Sequence, residues 1–316
     1  MTKRLYDCFT FFNELDLLEL RLNELYEHVD YFVLAEAPVT FKGQPKELFY
    51  ANNKARFEKF HDKIIHLIIE DMPVSENPWD LEHFQRNALR RGFATAAADD
   101  IIIIADADEI IKPSTAAALR SSRGFSQIQM TMYQYYMNLR EQNGWTKVFA
   151  FSRDLLAQLP DFNWVRTSQE DCFNHFAGDH QKLPAAGWHF TYLGGAAKIR
   201  EKLNAFSHNE TWFQQMLTPG GIEAQLAAGF EVGNFWHLNR FCEIDQTYPH
   251  FVRNNLEKYK SLGFIRDPYD AIATLQLQLR NAYQIIQQER QKRIDSETKY
   301  GVAPPVVRFT IGGVKN

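Results

Sequence analysis

Four isoleucines in a row, Ile101–Ile104, set the tightest limit on how this chain can fold. Side chains of a strand alternate between its two faces, so such a run needs both faces covered, as in a parallel sheet flanked by helices. Ala-Asp-Ala-Asp-Glu follows at once and brings Asp106, Asp108 and Glu109 within four positions. If the strand continues, Asp106 and Asp108 share a face with α-carbons roughly 7 Å apart. At ~6 Å between charges and an effective dielectric of about 20 they repel by roughly 3 kcal/mol, before any cost of burial. Something positive is therefore expected there. Ligands of open α/β sheets gather beyond the carboxyl ends of the strands, and hard carboxylate oxygens at such a place suit Mg2+ or Mn2+ holding a phosphorylated substrate. The bland alternative is a set of solvated acids that end the strand and cap the next helix.

The flanking sequence supplies the other layers. Tyr6–Phe12 is aromatic and apolar enough for a first strand, and Leu15, Leu18, Leu22 and Leu25 recur at helical spacing behind it. Asp30–Ala37 and Lys63–Ile69 are two further short strands, rich in β-branched and aromatic residues. Pro78 opens a helix whose Leu81, Phe84, Ala88 and Leu89 form a buried stripe. Strand and helix thus alternate over about the first 110 residues, which predicts a doubly wound α/β layer. Beyond Pro113 a short Ala-rich helix precedes SQIQMTMYQYYMNLR, a long strand, and KVFAFSR and GWHFTYL add strands to a mixed sheet. From Asp270 to about Arg293 the pattern is helical, ahead of the tail APPVVRFTIGG.

With 316 residues, 45% of them apolar, the chain has enough material for one large domain, and a net charge of −4 gives no global case for nucleic-acid binding. Cys8, Cys172 and Cys242 are odd in number and widely spaced, so neither a disulfide framework nor a zinc knuckle is indicated. No apolar run reaches the ~20 residues of a bilayer span, and the N-terminus turns acidic too soon for a signal peptide. A cytoplasmic location without a membrane span is the expectation.

Several motif readings of the acidic cluster fail. An EF-hand loop starting at Asp106 needs Gly where Ile111 stands, and a Walker B reading lacks its G-x-x-x-x-G-K-[ST] partner. The D-x-D of haloacid-dehalogenase-type phosphatases lies on the first strand, with Thr or Val two residues after its second Asp; here the pair closes the fourth strand and Ile110 follows. What remains is the D-x-D of GT-A-type nucleotide-sugar transferases.

The segments YDCFTFFNELDLLELRLNELYEHVDYFVLAEAPVTFKGQPK, HFQRN, ADADEI and AGWHFTYLGG resemble, in order over about residues 5–210, glycosyltransferase family seventeen. Its best-known members add the bisecting N-acetylglucosamine to N-glycans. The resemblance implies a GT-A fold, a doubly wound Rossmann-like mixed sheet over residues 1–240, with 1–112 as nucleotide-sugar half and 113–240 as acceptor half, and a helical extension, 241–316, packed on it. It implies an inverting transferase using UDP-N-acetylglucosamine, a glycan acceptor, and Mn2+ or Mg2+. Asp106 and Asp108 then serve metal and donor, with Asp108 the better direct ligand, and His189 of GWHFTYL is a further metal candidate beside its bland reading as a core histidine. Ile111 departs from the Pro that follows D-E-I in animal members, which also carry a membrane anchor, so a bacterial or viral setting is expected.

Asn13, Glu14 and Glu36 end strands one and two and are expected at the same sheet edge, as donor-binding residues. Lys46 is placed there to neutralise phosphate, and Arg86 and Asn87 to approach the donor from the helix before the metal strand; each competes with a surface ion pair or cap. The base that takes the acceptor's proton is assigned to Glu210 first and Asp171 second. Tyr133, Tyr135, Tyr136, Trp145 and Trp164 offer stacking faces for sugars, or plain core packing. Two other classes stay open: a metal-dependent sugar-phosphate phosphohydrolase and a non-catalytic carbohydrate-binding protein.

Overall fold

The computed structural model describes residues 3–176, 180–207, 214, 216–231, 234–270, 284, 286–293 and 295. Its sheet is built from β1 (Leu5–Thr10), β2 (Tyr31–Glu36), β3 (Ile64–Ile68), β4 (Ile101–Asp106), β5 (Glu109–Ile111), β6 (Phe125–Gln134), β7 (Leu139–Arg140), β8 (Trp145–Ser152) and β9 (His180–Thr191), with a two-residue strand, Arg240–Phe241, added beside β7. Helices α1 (Leu15–Leu25), α2 (Phe49–Asn52), α3 (Pro78–Ala88), α4 (Pro113–Ser121), α5 (Phe162–Thr167), α6 (Gln169–His175) and α7 (Gly195–Ala205) surround it.

Strands β3, β2, β1 and β4 lie side by side and parallel, in that order. β8 then pairs antiparallel with β4, β6 antiparallel with β8, and β9 parallel with β6, giving the mixed half. The isoleucine run behaves as its composition demands. Ile101 and Ile103 enter a core shared with Leu18, Leu22 and Leu25 of α1 and with Leu119 of α4. Ile102 and Ile104 enter the opposite core, with Leu89, Phe93, and Phe162 and Val165 of α5. All four are buried.

From β1 the chain winds outward through β2 to β3, then returns to the other flank of β1 as β4. The strand order therefore reverses between β1 and β4, whose last residues, Thr10 and Asp106, are register partners. An open α/β sheet has its ligand crevice at such a switch point. The acidic tip stands in it.

Compactness divides the chain into Met1–Arg266 and Asp267–Asn316. Residues 241–266, assigned from sequence to the C-terminal extension, thus fold with the first unit. In the second, residues 286–293 are helical, and most of the expected helix from Asp270, with the tail after it, lies outside the described residues.

Candidate active site

The Asp106–Glu109 turn is fixed from below by an arginine. Arg21 of α1 is fully buried and pairs with Asp7 of β1, a carboxylate equally withdrawn from water. Its Nη1 also donates to the carbonyls of Asp106 and Glu109, each at 2.9 Å. Two of the turn's backbone oxygens are thus met by one planar group with several donors.

Each acid of the tip has its own partners. Arg86 Nη2 of α3 lies 3.0 Å from Asp106 Oδ1 and 2.9 Å from Glu82 Oε1, while Arg166 Nη2 of α5 lies 2.8 Å from Asp106 Oδ2. Thr10 adds its hydroxyl to Asp106 Oδ1 at 3.1 Å. Glu109 is wholly buried and takes two bonds from Arg166 and one from the Trp145 indole N–H. Asp108 Oδ2 accepts from Lys202 Nζ of α7 at 2.7 Å, and its Oδ1 is 3.5 Å from His189 Nε2. Burial pushes the Asp106 and Asp108 carboxyls up, but Arg166 and Arg86 on the first, and Lys202 and His189 on the second, outweigh it and hold both far below the usual carboxylate range. The positive charge expected at the strand end is thus supplied by the protein's own side chains.

The tip opens into a cavity of about 520 Å³ lined from both halves of the sheet. Its walls include Phe12, Glu14 and Lys46 near β1, Trp79 and Arg86 on α3, Trp145 and His189 on β8 and β9, and Lys202 and Phe206 at the end of α7. β9 reaches the turn through its antiparallel pairing with β5, where Glu109 stands opposite His189. Gly187 makes that approach possible, because a Cβ there would fall 2.6 Å from the Ile110 carbonyl oxygen. The His189 ring lies 4.6 Å, centroid to centroid, from that of Trp145, and its buried Nδ1 has no hydrogen-bond partner.

Glu14, Lys46, Arg86, Asp106, Asp108 and His189, all expected at the site, line this cavity. Glu14 accepts from the amides of Phe12 and Asn13, and burial raises its carboxyl against the pull of Lys202. Lys46 sits with its ammonium 5.5 Å from the Phe12 ring and 5.7 Å from that of Phe49; burial lowers its pKa. Four others are engaged elsewhere. Asn13 donates to Glu201 of α7 at 2.8 Å and is absent from the lining. Glu36, fully buried, accepts from the Tyr50 and Ala51 amides and pairs with His66. It caps α2 rather than facing a ligand. Asn87 ties α3 to the start of α5 through Asp161 and the Phe162 amide. Asp171 is exposed on α6, whose Phe173 packs against Phe125 at the opposite end of the sheet, so it does not reach the cavity. Glu210 lies outside the described residues.

Among the expected aromatic faces, only Trp145 lines the cavity; Tyr133 and Tyr135 are buried, and Trp164 is exposed on α5. Trp188 is in the core, donating to the Thr247 carbonyl. Arg21, Arg166 and Lys202 were not anticipated, and nothing local in WVRT or IREKL marks them. Asp106 was expected as a metal ligand, yet both its oxygens hold guanidinium groups. Among the described residues no three His, Cys, Asp or Glu side chains converge enough to hold a metal unaided. Asp108, in the turn between β4 and β5, and His189 of β9 offer one oxygen and one nitrogen. That donor set fits a cation shared with a substrate's phosphates, as Mg2+ commonly is.

A parallel half whose acidic turn stands at the switch point faces a mixed half across a shared cavity, the layout of an open α/β fold with its ligand crevice beyond the carboxyl ends of the strands. Residues 1–236 match glycosyltransferase family 17, and the chain belongs to that family. It is 27% identical over 157 residues to the beta-1,4-mannosyl-glycoprotein 4-beta-N-acetylglucosaminyltransferase of Rattus norvegicus, and equally to that of Homo sapiens. The match takes in 47% of this chain and 26% of theirs, so the chain spans about a quarter of these relatives' length. Among solved structures, glucosyl-3-phosphoglycerate synthase of M. tuberculosis is 14% identical with a TM-score of 0.35, covering 58% of this chain and 72% of that one. A glycosyltransferase involved in glycosylation of the major capsid of PBCV-1 is 10% identical with a TM-score of 0.31, covering 60% of this chain and 93% of that one.

Proposed function

We propose that the chain is an inverting glycosyltransferase that moves N-acetylglucosamine from UDP-N-acetylglucosamine to a glycan hydroxyl. The observation that carries this is the position of Asp108 and His189, at the switch point of the sheet and in the wall of a cavity that both halves line. Family membership and the named activity of the relatives support the donor sugar.

Asp108 and His189 would hold Mn2+ or Mg2+, which when bound supplies charge against the departing diphosphate. Arg86 and Arg166 hold Asp106 in a fixed orientation with its side chain still 27% exposed, so it can orient donor hydroxyls without being drawn onto the cation. Lys46, with its ammonium partly desolvated among aromatic rings, faces a cavity where an anionic phosphate would relieve that cost. The base is assigned to Glu210. Each described carboxylate of the lining is already committed: Glu14 to backbone amides, Glu82 to Arg86 and Ser207, and Glu141 to the Asn143–Gly144 turn.

A phosphohydrolase would need a multi-ligand metal centre of its own, which the described residues do not form. Unpaired Cys8, Cys172 and Cys242 accord with a reducing, cytoplasmic setting, and no helix among the described residues is long and apolar enough to cross a membrane. The test is the product. Incubation with UDP-N-acetylglucosamine, Mn2+ and a panel of glycan acceptors should release UDP and give a β-linked sugar by NMR. An α-linked product would overturn inversion, and no turnover of the nucleotide sugar together with phosphate release from a sugar phosphate would favour the hydrolase.

A further inference from the structure

The Asp108 seat already holds a cation, and that cation belongs to the protein. Lys202 Nζ is 2.7 Å from Asp108 Oδ2, with its side chain one-fifth exposed, and its ammonium lies over the rings of Tyr192 and Phe206 at 5.5 and 6.0 Å. It is not a lysine that happens to drift into reach. The end of α7 that carries it, with the residues just after, is tied to the loop after β2, the loop after β1 and helix α3: Lys42 donates to the Leu203 carbonyl at 3.0 Å, Asn13 to Glu201 at 2.8 Å, and Ser207 to Glu82 at 2.5 Å.

A divalent ion bound between Asp108 and His189 would stand within a few ångströms of this ammonium. Two cations there repel through a cavity wall that excludes much of the water which would screen them. A bare ion must therefore either displace Lys202 or bind weakly. An ion arriving with a diphosphate brings compensating negative charge, and the phosphate oxygens accept from the same ammonium. We propose that Lys202 makes cation binding at Asp108 contingent on the nucleotide: the free protein discriminates against the bare divalent ion and accepts it with the donor. Glu14, which lines the same wall and attracts Lys202, gives the ammonium a second anionic neighbour when it shifts. By linkage, the factor by which nucleotide tightens the ion equals the factor by which the ion tightens nucleotide.

This inference rests on the donor reading above, and the experiment separates the two. Mn2+ binding to the full chain is measured by electron paramagnetic resonance, with and without UDP, for the wild type, Lys202→Met, Lys202→Gln and Lys202→Arg. In the wild type, UDP should tighten Mn2+ at least tenfold. In Lys202→Met and Lys202→Gln, Mn2+ alone should bind at least tenfold more tightly than in the wild type, and the gain from UDP should shrink to a few-fold. Lys202→Arg, which keeps the charge, should behave like the wild type. If neutral variants that melt like the wild type bind Mn2+ alone no better than it does, while UDP and Mn2+ still bind the wild type together, the role of Lys202 is overturned and the donor reading stands. If UDP fails to bind the wild type with or without Mn2+, both fall.

Discussion

Asp106 and Glu109 share a single guanidinium, that of Arg166, and this sharing decides what the residue does. Glu109 has no access to solvent, so it cannot recover hydration if its partner is removed. Arg166→Met should therefore destabilise the protein by about 3–5 kcal/mol, the usual cost of stranding a buried charge. Urea unfolding of the variant checks this, and a loss under 1 kcal/mol would mean the pair is solvated in solution. The acids themselves were legible in the sequence, because three carboxylates crowded behind an apolar strand are costly unless something compensates them. The compensating cations were not. Arg21, Arg166 and Lys202 stand 85, 60 and 94 residues from the positions they serve, and no local spacing connects them. Glu36 and Asn87 erred the other way: their places at element ends were right, but nearby orphan amides claimed them first.

At the scale of elements, periodicity served well where each face met a different environment. The isoleucine strand divides between two cores as expected, and α1 follows its leucine stripe with Arg21 hidden in it. β9 was legible only from Gly187 onward. Its first residues, HQKLPA, alternate between half-buried and exposed, carry Lys and Pro, and pair with β6 across a register shift that sequence does not announce. The pairing of β5 with β9 is what joins Asp108 to His189, and it depends on a glycine. Gly187→Ala places a methyl group 2.6 Å from the Ile110 oxygen and 2.8 Å from Met130 Cε, so the two strands must part. The expected result is a loss of about 1–3 kcal/mol, seen as a lower urea midpoint. UDP affinity measured with Mn2+ should fall at least tenfold, because the Asp108–His189 spacing widens. Unchanged affinity in a folded Gly187→Ala protein would show that this pairing does not set the site.

At the largest scale, the first compact unit joins a parallel half to a mixed half, and a cavity lined from both lies between them. The sequence pattern changes after residue 112, between β5 and β6, whereas residues 241–266 show no break in composition ahead of the end of the first compact unit at Arg266. The proposed function requires that the cavity at the switch point take a nucleoside diphosphate through a cation seated on Asp108. Isothermal titration of UDP into the wild type and Asp108→Asn, each with Mn2+ and with chelator, tests it most directly. Wild-type affinity for UDP should fall at least tenfold when Mn2+ is chelated, and Asp108→Asn should bind UDP equally weakly in both conditions. UDP bound equally well by both proteins without any divalent ion would contradict it.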